Sequence, residues 1–152
     1  MKFHTGIHHH PIRIYYEDTD AGGVVYHANY LRFAERARTE ALRDLGVAHA
    51  EMVSQHGVMF MVRRIKLDYL EPARLDDSLI VTTRPLAIGA ASAELRQQFV
   101  RAEAPGRVLA SVDIQLACVR IADQRAARMP PRWRDALRRL VDEHESAPSG
   151  AQ

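Results

Sequence analysis

Apolar residues recur every three or four positions between Ala28 and Leu45, while arginines and acids occupy the other positions. This spacing predicts an amphipathic helix of about five turns. Three of its apolar positions are the alanines Ala34, Ala37 and Ala41, so the helix axis can lie close to another surface. Gly46 follows directly and is a suitable residue to end the helix.

Most of the remaining chain shows a period of two, which is typical of strands. A short run from Pro11 to Tyr16 precedes the helix. The four longer runs that follow it are Val58 to Leu70, Ser78 to Ile88, Ala91 to Arg101 and Arg107 to Ile121. Gly89 and the segment from Ala104 to Gly106 provide turns between successive runs. We therefore expect these four strands to pair with their sequence neighbours as an antiparallel meander.

The order of these elements predicts the fold class. One strand, a long helix and then four strands favour an α+β fold in which five antiparallel strands curve around the central helix. In a parallel α/β fold, strands and helices would alternate throughout. Pro130 and Pro131 can begin a further helix, because apolar residues follow them at helical spacing.

The chain divides into four segments on this basis. We expect a flexible N-terminus at residues 1–10, one domain at 11–122, a linker with an amphipathic terminal helix at 123–143, and a disordered tail at 144–152. A chain of 152 residues with 47% hydrophobic content can bury the core of one domain. No apolar stretch approaches the roughly 20 residues that cross a membrane, and no export signal is evident, so we expect a cytoplasmic protein.

Charge and single residue types exclude several functions. Arginine supplies 19 of the 21 basic residues, yet the formal net charge is only +2. The arginines between Arg120 and Arg139 could bind phosphate through bidentate contacts, although a solvated helix face is the commoner explanation. Without an RNA-binding aromatic signature, zinc-finger spacing or phosphate loop, nucleic acid is a disfavoured partner. Cys118 lies in an apolar run, where burial is favoured over catalysis, and it has no cysteine with which to form a disulfide.

The histidines give no metal site by spacing. His8, His9 and His10 are adjacent, so they cannot all face one ion from a strand, and no acid or cysteine is suitably spaced beside them. We expect a mobile surface terminus there. His49 and His56 fall in the loop predicted between the helix and the second strand, and they are assigned no role.

The segment from Glu17 to Tyr30 places an acid and a histidine beside a glycine-flanked helix start. Asp20 lies where strand gives way to helix, and the free N–H groups of a helix start favour negative charge. Gly22 and Gly23 allow the backbone to turn sharply between them. By itself an Asp before a helix is most often a cap or turn residue. The combination indicates a catalytic site that stabilises an anion.

The run Asp20-Ala21-Gly22-Gly23-Val24-Val25-Tyr26-His27-Ala28-Asn29-Tyr30-Leu31 resembles the hotdog-fold thioesterases of the 4-hydroxybenzoyl-CoA thioesterase family. The likeness is greatest to the YbgC-type acyl-CoA thioesterases, which are associated with the Tol-Pal envelope system. It continues at residues 33–40 and 65–77 and covers most of residues 11–122. The resemblance implies a long helix wrapped by a five-stranded sheet, in agreement with the order of elements. It also implies acyl-CoA hydrolysis, no cofactor apart from the coenzyme A of the substrate, and a homodimer or homotetramer with sites between subunits.

The resemblance also implies roles for individual residues. Asp20 matches the catalytic carboxylate, which attacks the thioester or activates water. The backbone N–H of His27 matches the group that holds the thioester oxygen, and its side chain could assist as a base or donor. Tyr26 and Asn29 would orient the loop or the thioester, with capping or packing as open alternatives. The substrate-binding segment further includes Gly22, Gly23 and Val25.

Other charged residues are secondary candidates. Glu17 and Asp18 are expected to face solvent. Glu35 is a rival catalyst, since another branch of hotdog thioesterases uses a helix carboxylate, but the presence of Asp20 favours a structural pairing of Glu35 with an arginine. Arginines that could bind the phosphates of coenzyme A are Arg63, Arg64, Arg84 and Arg101.

Two other functions compete with thioester hydrolysis. The basic face of the terminal helix, which carries Arg132, Arg134, Arg138 and Arg139, would suit a scaffold for an acyl carrier protein or an envelope complex at the inner-membrane face. A hotdog dehydratase ranks last, because the sequence lacks the Gly-Asp-x-Asn-Pro type of run that such enzymes often carry. The sequence leaves open whether the acyl group is short, medium or aromatic.

Overall fold

The computed structural model describes residues 2–148, which form one six-stranded sheet and three α-helices. The elements in chain order are β1 Phe3–His4, β2 Ile7–Arg13, α1 Asn29–Asp44, α2 His49–His56, β3 Val58–Tyr69, β4 Ser78–Ile88, β5 Ser92–Arg101, β6 Ala104–Arg120 and α3 Pro131–Glu145. A single 3-10 turn, Tyr16–Asp18, lies between β2 and α1.

The antiparallel sheet has the order β1-β2-β4-β5-β6-β3, and α1 packs against its inner face. The side chains that α1 buries are Tyr30, Phe33, Ala34, Ala37 and Ala41. Ala34 and Ala37 are fully buried, which agrees with the close helix approach expected from their small size. The predicted α+β class and central helix are therefore confirmed, and α1 starts and ends within one residue of the predicted bounds.

The predicted strand number and strand order need correction. The sheet has six strands rather than five, and only β4, β5 and β6 form the predicted meander. β3 pairs with β6 at the far edge of the sheet, so it is not a neighbour of β4. The reason is the long β3 to β4 connection, residues 70–77. Its backbone bonds first to Leu109, then to Val25, and finally to Ile14 at the end of β2, so it crosses from one side of the sheet to the other.

The prediction of a flexible N-terminus at residues 1–10 is wrong where the structure describes it. Phe3–His4 and Ile7–Arg13 form a hairpin, and β2 pairs with β4 along His8 to Arg13. Gly6 at the turn has φ +76°, and a Cβ there would lie 2.2 Å from the carbonyl oxygen of Leu140 in α3. The hairpin and α3 are thus in close contact. The predicted strand from Pro11 to Tyr16 corresponds to β2, which spans Ile7–Arg13 and therefore begins and ends earlier.

The segment after α1 and the C-terminal segment also differ from expectation. His49 and His56 lie in α2 rather than in a loop, and α2 ends at Gly57, which has φ +63°. The terminal helix begins at Pro131 as predicted, and it buries Trp133 and three other apolar side chains. It extends to Glu145, so the first two residues of the predicted disordered tail are helical, while residues 149–152 lie outside the described part. None of the described helices is long and apolar enough to span a lipid bilayer.

Candidate active site

A tight backbone turn carries Asp20. Thr19 and Val25 form an antiparallel bridge that closes the turn. Inside it, the Asp20 N–H donates to the carbonyl of Val24 at 2.9 Å, and the Gly23 N–H donates to the carbonyl of Asp20 at 3.0 Å. Gly23 has φ +80°, a conformation that glycine adopts without strain. The turn therefore fixes the backbone on both sides of the carboxylate.

The Asp20 side chain is exposed, and one of its two carboxylate oxygens accepts a hydrogen bond. Its Oδ1 accepts a 2.8 Å hydrogen bond from the Gly22 N–H, and a Cβ at Gly22 would lie 3.3 Å from the same oxygen. Glycine therefore lets the carboxylate fold back onto its own turn. Among residues 2–148, no side chain or amide donates to Oδ2. One carboxylate oxygen is thus oriented by the loop while the other is available to a ligand.

The start of α1 supplies unpaired amide donors next to this turn. The Tyr26 N–H donates to the Asp18 carbonyl at 3.0 Å, and the Asn29 amide side chain donates to the same carbonyl at 2.9 Å. Ala28, at the cap position, has no side chain that could accept from the first turn. In the described part of the chain, the N–H groups of His27 and Ala28 find no acceptor. This helix start can therefore hold an oxygen that carries partial negative charge.

Tyr69 is a member of the site that the sequence did not single out. Its hydroxyl donates to the His27 carbonyl at 2.9 Å from the end of β3. Its ring also meets that of Tyr30 edge-on, with centroids 5.4 Å apart. Burial raises the pKa of Tyr69, which keeps the hydroxyl protonated as a donor. The sequence signals are that Tyr69 lies near the end of the strand-like run from Val58 to Leu70, 42 residues beyond His27, and within the resembling segment 65–77.

The Tyr30 hydroxyl anchors the other side of the loop by accepting from the Ala73 N–H at 3.2 Å. The Val25 N–H donates to the carbonyl of Ala73 at 2.8 Å. Residues 70–77 are thereby attached to the helix start. Arg101, considered for phosphate binding, lies 3.5 Å from the Asp77 carboxylate and donates to the Pro72 carbonyl. Its observed contacts are therefore within this segment.

The structure brings most of the predicted site residues into one loop and leaves two outside it. The residues that share the loop and the helix start are Asp20, Gly22, Gly23, Val25, Tyr26, His27 and Asn29. Val25 is buried, whereas Tyr26 and His27 are exposed, with rings 4.4 Å apart. Arg63 and Arg64 lie on β3, exposed, and about 17 Å or more along the strand from Tyr69. Within one chain these two arginines do not reach the loop.

Several secondary candidates have local structural contacts. Asp18 accepts from the Tyr15 N–H at 2.8 Å, while Glu17 is exposed. Glu35 forms no ion pair within 4.0 Å in the described structure, so its expected arginine partner is not observed. Cys118 is buried, and burial raises the pKa of its thiol. Across residues 2–148, no three His, Cys, Asp or Glu side chains are arranged to hold a metal ion.

A cavity of about 240 Å³ lies elsewhere, between the C-terminal half of α1, the inner face of the sheet and α3. Its lining begins at Glu35 on α1, roughly 12 Å along the helix axis from His27. No residue of the Asp20 turn contributes to it. The candidate catalytic groups are therefore on a surface loop, and this cavity lies toward the other end of the helix.

Comparison with known proteins identifies the family of this chain. Residues 15–137 match the model of the thioesterase-like superfamily. The chain is 38% identical over 130 residues to the acyl-CoA thioesterase YbgC of Haemophilus influenzae, covering 86% of this chain and 93% of that protein. It is 43% identical over 109 residues to the acyl-CoA thioester hydrolase YbgC of Escherichia coli, covering 72% and 79%.

A solved structure shows the same fold. The probable thioesterase from Bartonella henselae superposes with a TM-score of 0.75 at 31% identity, over 82% of this chain and 99% of that one. The match to the family model, residues 15–137, includes the Asp20 turn and strands β3 to β6. The chain belongs to the thioesterase-like superfamily, as a hotdog-fold thioesterase of the YbgC type.

Proposed function

We propose that this protein hydrolyses acyl-CoA thioesters to a free acid and coenzyme A, with Asp20 as the catalytic carboxylate. The observation that carries the proposal is a free carboxylate oxygen on the same short loop as two unpaired amide N–H groups. A thioester needs both, because its carbonyl oxygen gains negative charge while its carbon is attacked. The names of the H. influenzae and E. coli relatives support the same substrate class.

The proposed reaction needs only water and groups of this loop. The His27 N–H, with that of Ala28, holds the thioester oxygen and draws charge from the carbonyl carbon. Asp20 either takes a proton from the water that attacks this carbon, or attacks it directly and forms an anhydride that water then cleaves. The carbon–sulfur bond breaks, and the coenzyme A thiolate leaves and takes up a proton.

The active unit in this proposal is a dimer formed through β3. This strand is at the edge of the sheet, so one side of its backbone is unpaired. Val62 and Ile65 point to the inner face with their buried partners Leu116 and Ile114, yet they are 41% and 39% exposed because α1 does not cover this edge. A second copy of β3, paired antiparallel, would cover them. It would also bring the Val58 end of one strand beside the Tyr69 end of the other.

Arg63 and Arg64 are proposed to bind the phosphates of coenzyme A in that dimer. Both are exposed, and within the described residues neither forms an ion pair. Arg63 sits at a β-bulge, where the register shifts between Val62 and Arg64, so the bulge changes the direction of its side chain relative to a regular strand. Guanidinium groups suit phosphate because they can donate two parallel hydrogen bonds.

A thiol-release assay over a panel of acyl-CoA esters tests the catalytic proposal. Asp20→Asn keeps the size of the side chain but removes its negative charge, so we expect kcat/KM to fall by roughly 100-fold or more. Glu17→Gln is the matched control, since Glu17 is an exposed acid of the same loop, and it should stay within about twofold of wild type. Equal rates for Asp20→Asn and wild type would refute the role of Asp20.

Analytical ultracentrifugation of Ile65→Asp tests the dimer, which this charge should dissociate.

A further inference from the structure

Three buried polar side chains form one row across the inner face of the sheet. His8 on β2 pairs with Thr83 on β4, and Thr83 pairs with Gln97 on β5. These are the polar residues that residues 2–148 bury, with 1%, 5% and 0% exposure. Buried polar groups cost free energy unless they are paired, so a row of them in an apolar core calls for an explanation.

The row leads to a charged residue of α1. The Gln97 amide donates to the Thr83 hydroxyl at 3.0 Å and to the Ala34 carbonyl at 2.9 Å. Its oxygen then accepts from Nη1 of Arg38 at 3.0 Å. The side chains of Thr83 and Gln97 therefore serve to hold the Arg38 guanidinium against the inner face of the sheet.

Arg38 is left with unused donors. A guanidinium has five N–H groups, and in the described structure a single acceptor, Gln97, meets them. No carboxylate of residues 2–148 lies within 4.0 Å of it. Burial lowers the pKa of Arg38, and the nearby charge of Glu35 opposes that change. A partly buried cation with one neutral partner is an unusual arrangement, because buried charges are normally paired.

Arg38 faces the cavity of about 240 Å³, whose remaining surface is mainly apolar. Leu42, Leu45, Leu95 and Leu116 are among its lining side chains. The volume is far above the roughly 15 Å³ that one water molecule needs and a little below that of common drug-sized pockets, so a small organic molecule suits it. An apolar body and one anionic group would match these two kinds of surface.

The other titratable groups of the lining leave Arg38 as the main buried charge. His49 accepts the Phe60 N–H at Nε2, and burial lowers the pKa of its ring, which favours the neutral form. His8 is already engaged at Nε2, 2.7 Å from the Asp44 carboxylate. Glu35 also lines the cavity, but it is exposed, so water screens its charge more strongly than that of Arg38.

We propose that this cavity binds a short apolar chain that ends in a carboxylate, with the carboxylate paired to Arg38. The guanidinium can donate two parallel hydrogen bonds to it, and the leucines contact the chain. Two sources share this chemistry: a free short-chain acid, and the far end of an acyl group that carries a second carboxylate. Arg38 lies about 17 Å along α1 from His27 of the same chain, so such an acyl group would enter from the loop of the partner subunit in the proposed dimer. The experiment distinguishes the two sources.

The first arm titrates hexanoate into the full-length protein and follows binding by NMR chemical shifts, with 1-hexanol as an uncharged probe of similar length. We expect hexanoate to bind more tightly than hexanol, and Arg38→Gln to weaken hexanoate about tenfold or more while hexanol changes little. Arg36→Gln, an exposed arginine of the same helix outside the cavity, should match wild type. Equal binding of both probes to wild type, or hexanoate binding that ignores Arg38→Gln, would overturn the proposal.

A second variant guards against misfolding of Arg38→Gln. Thr39 is exposed and lines the cavity, so Thr39→Trp would narrow its entrance without touching Gln97. We expect this variant to lose hexanoate binding at an unchanged Tm. If Thr39→Trp binds hexanoate as wild type does, the ligand lies elsewhere and the proposed site is wrong.

The second arm compares hydrolysis of adipoyl-CoA with that of hexanoyl-CoA, and it rests on the proposed thioesterase function. A higher kcat/KM for adipoyl-CoA, lost in Arg38→Gln, would identify the substrate as the source of the carboxylate. Hexanoate binding without that preference would identify a free acid. If neither ester is hydrolysed, the proposed function fails while the titration still decides the cavity. Absence of both binding and preference refutes the site.

Discussion

The Asp20 turn and the buried row of His8, Thr83 and Gln97 hold polar groups in opposite ways. The turn is exposed and built from backbone hydrogen bonds between residues close in sequence, and it leaves a carboxylate oxygen and two amides unpaired. The row is buried and comes from three paired strands. Gln97 bonds to Thr83, and Nε2 of His8 bonds to Asp44, while Nδ1 of His8 has no partner among residues 2–148. Unpaired groups in water cost little and are free for chemistry, whereas unpaired groups in the core cost stability. Substitutions in the two regions should therefore affect different properties.

Gln97→Ala should give the largest effect on stability. It removes the partner of Thr83, of the Ala34 carbonyl and of Arg38 in a fully buried place, so we expect a loss of about 2–4 kcal/mol in the free energy of unfolding. Urea denaturation followed by circular dichroism measures it. Gln98→Ala, on the opposite face of β5 and half-buried, is the control and should cost less than about 1 kcal/mol. Asp20→Asn should likewise cost less than about 1 kcal/mol in the free energy of unfolding. If Asp20→Asn destabilised the fold as much as Gln97→Ala, the contrast between the regions would not hold.

His27→Ala separates the backbone of the turn from its side chains. The substitution keeps the amide N–H that we assign to the thioester oxygen, so kcat/KM should fall by less than about tenfold. A general base at this position would instead contribute roughly 100-fold or more. Thiol release beside wild type and Asp20→Asn provides the measurement. A loss as large as that of Asp20→Asn would show that the imidazole is catalytic.

Asp44→Asn should have the smallest effect, and its pH dependence tests the buried end of the row. Burial tends to raise the pKa of Asp44, but hydrogen bonds from His8 and Lys2 outweigh it and hold the pKa below its ordinary value of 3.8. A depressed carboxyl pKa stabilises the fold above the unfolded pKa and ceases to do so as the pH falls through the folded pKa. We expect wild type to exceed Asp44→Asn by less than about 1 kcal/mol at neutral pH.

That difference should begin to shrink below about pH 4, where the carboxyl group of the unfolded chain takes up a proton, and should close once the pH is below the lowered folded pKa. Thermal unfolding of both proteins between pH 3 and pH 7 measures it. Lys2 is exposed, so the variant Lys2→Gln serves as a control for the part of the effect that surface charge contributes. A difference that grows on acidification would have the wrong sign for this explanation.

The elements of the fold were predictable where their causes are local. The helix α1 follows from apolar spacing within one segment, and the β4 to β5 hairpin follows from the turn at Gly89. The turn between β5 and β6 lies at residues 102–103, and the segment from Ala104 to Gly106 that was predicted to turn belongs to β6. The place of β3 was not predictable in this way, because its partner β6 is set by contacts of the crossing segment 70–77 with distant parts of the chain. The histidines of β2 look polar in sequence, yet pairing with β4 turns His8 and His10 to one face, on which His8 is fully buried and His10 half-buried.

The sequence by itself determined the candidate loop, because Asp20, the two glycines, His27 and the start of α1 are nearly contiguous and their geometry depends on short-range hydrogen bonds. Only the tertiary structure decided that Tyr69 reaches His27 from 42 residues away, and that His8, Thr83, Gln97 and Arg38 meet beside one cavity. The physical reason is that strand register and helix packing bring distant side chains together. Both depend on burial of apolar surface across the whole domain, so no short motif in the sequence records them.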